Sequence, residues 1–177
     1  VQEGVASSSH FDHTAGGLSE VGTPLDFPVV TPHRQTTYRA MVEQVLHDFN
    51  LNQIEYEWSG LTMIAFLPPT KNWRTTEGQE ISFDRLAQRM MREEMPRGVC
   101  FGNHRLHTLA MFLRIDDAQH VLSPAVRADI IAFMQDMTGR LVRHQHSDGY
   151  WDGHWPNKPA SSDVKDNLSG DANADRI

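Results

Sequence analysis

Apolar residues recur three and four apart along most of the middle of the chain, the period of an α-helix with one buried stripe. The first such stretch runs from Thr36 to Asn50, with Tyr38, Met41, Val42, Val45, Leu46 and Phe49 on one face and Thr36 or Thr37 placed to cap its start. The second, about Glu57 to Leu67, leaves little polar surface between Trp58 and Leu67. It reads as a helix buried nearly all round and stopped by Pro68-Pro69. A continuous apolar run of this length also suits a strand, and periodicity alone does not separate the two. Ser82 then caps a third helix carrying Phe83, Leu86, Ala87, Met90 and Met91, broken by Pro96 and Gly98. A fourth begins near Gly102-Asn103 and continues through Leu106, Leu109, Ala110, Met111 and Leu113. Ser123-Pro124 opens the fifth and longest, with Val126, Ile130, Ile131, Phe133, Met134, Met137 and Leu141. The expected helices are therefore 36–50, 57–67, 82–93, 103–115 and 124–144, with little or no sheet.

These helices alternate in character. The first, third and fifth are amphipathic; the second and fourth are mostly apolar. An outer and an inner ring of helices would require that alternation, whereas a plain bundle predicts similar amphipathicity throughout. The expectation is an all-α chain of antiparallel helix pairs forming part of an α/α toroid. It has a flexible or docked N-terminal arm over 1–35, a helical domain over 36–155 and a polar segment over 156–177. In the arm, Ser7-Ser8-Ser9, Gly16-Gly17 and Pro24, Pro28 and Pro32 interrupt any helical period.

Charge narrows the possible partners. The chain has 177 residues and a net charge of −7. Its arginines are dispersed among Glu and Asp, which argues against nucleic acid, where phosphates require clustered cations. No stretch approaches the ~20 apolar residues of a bilayer span, and the start shows no signal-peptide pattern. The localisation stays open. A single cysteine, Cys100, excludes an intrachain disulfide framework.

The end of the fifth helix carries a motif. Leu141-x-x-x-Gln145, a short spacer and Asp148-Gly149-x-Trp151 resemble the glutamine–tryptophan repeat of α/α toroids, the squalene and oxidosqualene cyclases and, more loosely, protein prenyltransferase β subunits. Arg140 departs from it, since an aromatic usually stands there. In such a repeat Gly149 would allow the turn, Gln145 would satisfy backbone groups at the helix end, and Trp151 would pack over the loop. Cys100-x-Gly102-x-His104-x-Leu106 is similar to a stretch in uncharacterised bacterial toroid proteins. The resemblance implies a ligand cavity where inner helices begin, and a ring that five helices do not close. Self-association, a partner chain or the folded-back arm would complete it.

Candidate chemistry follows from those positions. Cys100 and His104, near a helix start that favours thiolate, are candidate catalytic or metal-ligating residues. Zinc is the metal such a pair would take, although a third ligand is not evident. The plainer reading is a core cysteine and a hydrogen-bonded histidine. Glu57 is a candidate acid or base; as a charge at a helix N-terminus it would need no such role, and Glu55 lies off its face. Tyr150, Trp151, Trp155 and His107 are candidate ligand-binding residues, with His144, His146 and His154 crowding the same loop; a structural turn explains the loop equally. Asp116-Asp117 stands at the wrong end of its helix for a cyclase acid, and the Asp-x-Asp-Asp motif is absent. Two functions remain: a partial toroid that binds a protein partner or glycan on its concave face, and a toroid enzyme using Cys100 and His104.

Overall fold

The computed structural model describes residues 11–53, 55–67, 69, 72–95, 102–152 and 155. Cys100, His154 and the 156–177 segment lie outside them. The described chain is mostly helical, with only short strands. In order it runs α1 (His13–Glu20), β1 (Pro28–Val30), β2 (Gln35–Thr37), α2 (Tyr38–Asp48), α3 (Glu57–Phe66), β3 (Trp73–Arg74), β4 (Glu80–Ile81), α4 (Phe83–Arg92), α5 (Asn103–Gln119) and α6 (Pro124–His144). The five periodic stretches are all helices, and the apolar run after Glu57 is the helix α3 and not a strand.

Local chemistry sets several of the boundaries. Ser82 Oγ accepts from the Arg85 N–H and Ser123 Oγ from the Val126 N–H, so both serines cap as their positions require. Pro124 occupies the first turn of α6, where a missing N–H costs nothing. Thr37 stands at the start of α2 without a capping side-chain bond; the strand β2 runs directly into the helix there. Each strand pair is a small antiparallel ribbon. Pro28 pairs with Thr37 and Val30 with Gln35; Trp73 pairs with Ile81 and Arg74 with Glu80.

The packing is centred on α3. Every residue from Glu57 to Ile64 is buried, and α1, α2, α4 and α5 all pack against this helix. One core joins α3, α4, α5 and α6 through Leu61, Ile64, Phe83, Leu86, Met90, Leu109, Phe112 and Ile130. A second lies between α1 and α2, around Ala15, Tyr38, Val42 and Val45. The expectation that α5 is also enclosed does not hold. It buries one stripe, Arg105, Thr108, Leu109, Phe112 and Asp116, and exposes Ala110 and Arg114 on the other side. Thus one helix, not two, occupies an inner position among the described residues.

The arm carries more structure than its sequence suggests. His13-Thr-Ala-Gly-Gly-Leu-Ser-Glu20 has two glycines and poor intrinsic helicity. It is nevertheless helical because α1 docks on α3. A β-carbon on Gly16 would lie 2.6 Å from Trp58 Cε3, so the missing side chain permits the approach. The Tyr38 hydroxyl donates to the Ala15 carbonyl at 2.6 Å and lies 2.6 Å from Ser19 Oγ, which ties α1 to α2. Burial, the larger influence, holds the Tyr38 phenol pKa above its usual value, against the Ser19 hydrogen bond.

Candidate functional site

The starts of α3 and α5 meet, as two neighbouring inner helices would require, but the meeting point is filled by an ion-paired network. Glu57 Oε1 accepts from Arg105 Nε at 2.9 Å, with both side chains almost wholly buried. Arg105 spends its remaining donors on Glu93 Oε2 at 3.0 Å and on the Glu93 and Glu94 carbonyls at 3.2 and 3.1 Å. Arg89 binds the other Glu93 oxygen at 2.7 Å, donates to the Leu51 and Gln53 carbonyls, and lies 4.0 Å over the Tyr56 ring. Two guanidiniums thus satisfy two carboxylates and four backbone carbonyls, clamping α3, α4, α5 and the 50–56 loop together. The Tyr56 hydroxyl is buried in this network without a hydrogen-bond partner among the described residues. Burial, followed by the nearby Glu93 carboxylate, pushes the Tyr56 phenol pKa well up, so Tyr56 is neutral and no ready proton donor. Glu57, paired and enclosed, offers no open oxygen to a substrate here.

His104 and His107, one turn apart on α5, face the other flank of α3. Their rings lie 5.0 and 6.3 Å from Trp58, and His13 of α1 lies 4.6 Å from the same indole. His107 Nε2 is 3.2 Å from Glu20 Oε2, close enough to attract when the imidazole is protonated but not aligned as a hydrogen bond. Gln53 donates to Ser59 Oγ at 2.8 Å, and Ser59 donates in turn to the Asp12 carboxylate, just ahead of α1. Three imidazoles therefore surround one indole. Among the described residues, though, no three His, Cys, Asp or Glu side chains are arranged to hold a metal ion.

The glutamine–tryptophan loop is a tight turn after α6. Gly149 has φ +92°, and its N–H donates to the His146 carbonyl at 2.8 Å. His146 stacks on Tyr150 with centroids 4.3 Å apart and planes 3° from parallel, and its Nε2 lies 3.3 Å from Asp152 Oδ2. Gln145 donates to Gly149 O at 3.0 Å, within the turn. It is Trp151 that satisfies the helix end, its indole N–H donating to Leu141 O at 2.7 Å. Trp155 is 1% exposed, packed with Met95 and Met137, and presents no open face. His144 is also buried, and neither ring nitrogen has a partner among the described residues. Asp116 and Asp117 both pair with Arg127, at 2.9 and 2.8 Å, and Asp116 also accepts from the Leu122 N–H; they fasten the α5–α6 turn.

An open concavity lies elsewhere, between the start of α1, the β1–β2 ribbon and α2. A cleft of about 250 Å³ is lined by Asp12, His13, Thr14, Ala15, Arg34, Thr36, Ala40, Met41, Gln44 and Val45. Sequence reasoning missed it, because the arm that forms one wall reads as irregular. No protein-family model, curated protein or solved structure matches this chain. No helix among the described residues is long and apolar enough to cross a membrane.

Proposed function

We propose that this chain is a helical binding module that takes a small ligand in the cleft between α1 and α2. The observation that carries the reading is the contrast between that cleft and the other candidate sites. The cleft is open and mixes an apolar floor with polar side chains, as ligand pockets do. Glu57 is neutralised inside the structure, Trp155 is covered, Trp151 is bonded to the end of α6, and Tyr150 is stacked on His146. A binding role on a concave surface is thus favoured over the aromatic platform for a glycan, and over acid–base chemistry at Glu57. Methyl-labelled Met41, a wall of the cleft, provides the test: a panel of small polar and apolar compounds should shift its NMR signal. If no compound in the panel moves Met41 while some move other methyls, the cleft is not the site.

A second reading has its own support. α6 exposes Val142 (73%) and Ile131 (39%), and the helix-pair order suits a partial α/α toroid completed by another copy or a partner chain. Sedimentation of the protein at micromolar concentration tests self-association. A mass of one chain, unchanged on adding salt, would remove the self-associating form of this reading.

A further inference from the structure

The cleft beside α1 has a charge pattern that narrows its ligand, and the following rests on the binding reading above. Two of its walls carry full charges of opposite sign. The Arg34 guanidinium, at the end of the β1–β2 turn, has no carboxylate partner among the described residues. Only its backbone is engaged, with Thr31. The Asp12 carboxylate accepts from the Ser59 hydroxyl but has no cationic partner among the described residues. Neither charge is neutralised by another among the described residues. The lining also includes Ala15, Ala40, Met41 and Val45, and the Gln44 amide, one of its two N–H donors bonded to Asp48 at 2.7 Å, adds a polar group.

A ligand that answers both charges and the floor has a cation, an anion and an apolar body. We infer that the cleft takes a small zwitterion of the free α-amino-acid class with an apolar side chain. Its ammonium is held by Asp12, its carboxylate by Arg34 and its side chain against Met41 and Val45. Size agrees: about 250 Å³ lies below the roughly 300–1,000 Å³ of pockets for drug-sized ligands, too little for an oligosaccharide. Arginine suits the carboxylate end because its planar fork meets both oxygens at once.

The experiment compares L-leucine with N-acetyl-L-leucine, which lacks the ammonium, and L-leucinamide, which lacks the carboxylate. Binding to the full chain is followed by Met41 methyl shifts and calorimetry. Leucine should bind best, each derivative weaker by about tenfold or more. Arg34→Met changes an exposed side chain; it should equalise leucine and leucinamide. Asp12→Asn keeps an acceptor for Ser59; it should equalise leucine and N-acetyl-leucine. If both derivatives bind as well as leucine at Met41, the zwitterion is wrong and the cleft reading stands. If neither leucine nor any other compound moves Met41, both fall. Leucine binding that survives Arg34→Met and Asp12→Asn with the same selectivity also overturns the inference.

Discussion

The two flanks of α3 are held by opposite means. On one flank Arg89 and Arg105 bind Glu57, Glu93 and four carbonyls in a buried network whose charges cancel internally. On the other, α1 is held by one close backbone approach at Gly16, a buried tyrosine hydroxyl, a serine–aspartate bond and a half-exposed histidine–glutamate pair. The first flank pairs its charged groups with one another and is fixed architecture. The second is partly solvated at the Glu20–His107 pair, and the cleft beside α1 and α2 adjoins it. In this molecule the most charged cluster is the least available for chemistry, because pairing and burial have already consumed its charge.

The largest test of that difference is Arg105→Met. Removing one member of a buried pair strands the other, and Glu57, 3% exposed, would be left without its partner. The expected cost is about 3–5 kcal/mol, read as a lowered urea midpoint. Adding Glu57→Leu to that variant should recover much of the loss, since no isolated charge then remains. A loss below about 1 kcal/mol in the single variant would mean that water reaches the network.

On the arm, two adjacent glycines give opposite expectations. Alanine is favoured over glycine in a helix by about 1 kcal/mol. Nothing lies within 4 Å of a β-carbon at Gly17, so Gly17→Ala should stabilise α1 by roughly that amount. At Gly16 the same β-carbon would meet Trp58 Cε3 at 2.6 Å. Overpacking of this kind costs about 1–3 kcal/mol and outweighs the gain. Gly16→Ala should therefore speed amide exchange in α1 and leave α4 unchanged. Equal effects at the two glycines would show that α1 does not sit on Trp58.

Tyr38 extends the comparison to pH. Tyr38→Phe removes the bond to Ala15 O and the contact with Ser19, at a cost of about 1–2 kcal/mol at neutral pH. The folded phenol pKa is raised, chiefly by burial, above the usual value near 10. Its contribution is therefore complete below pH ~10, falls as pH rises beyond that, and is gone above the folded pKa. The gap between parent and Tyr38→Phe should narrow in alkali. Tyr56 is common to both proteins and cancels in the difference. A gap that widens with pH would reverse the assigned direction.

These contrasts also explain how much was legible beforehand. The five long helices could be read from their apolar pattern, reinforced at Ser82 and Ser123 by caps. α1 could not, because its stability is tertiary: Gly16 is a helix breaker by propensity and a contact residue by position. The placing of Glu57 near the α5 start was readable from helix order. Its neutralisation was not, since Arg105 and Arg89 reach it from 48 residues away and through Glu93 respectively. No local signal marks those arginines; only their place on the inner faces of α4 and α5 hints at it. That Trp151, and not Gln145, reaches the helix end has a related reason. Both carry an N–H, and loop geometry alone decides which one reaches Leu141 O.

The smallest expected effect concerns the Glu20–His107 pair, which bridges α1 and α5 at the outer edge of the arm. The two side chains are 38% and 39% exposed, so solvent screens their attraction. Pairs of this kind contribute about 0–1 kcal/mol. Glu20→Gln should accordingly cost a few tenths of a kcal/mol at low salt. Raising salt toward 1 M, where the Debye length is ~3 Å, should erase even that difference. The Arg105→Met loss should persist in the same salt, because ions do not enter a buried pair. Thermal unfolding of both variants at low and high salt makes the comparison directly. If Glu20→Gln proves as costly as Arg105→Met, or as indifferent to salt, the arm is fastened as firmly as the core, and the proposed division between a fixed and a yielding flank of α3 is wrong.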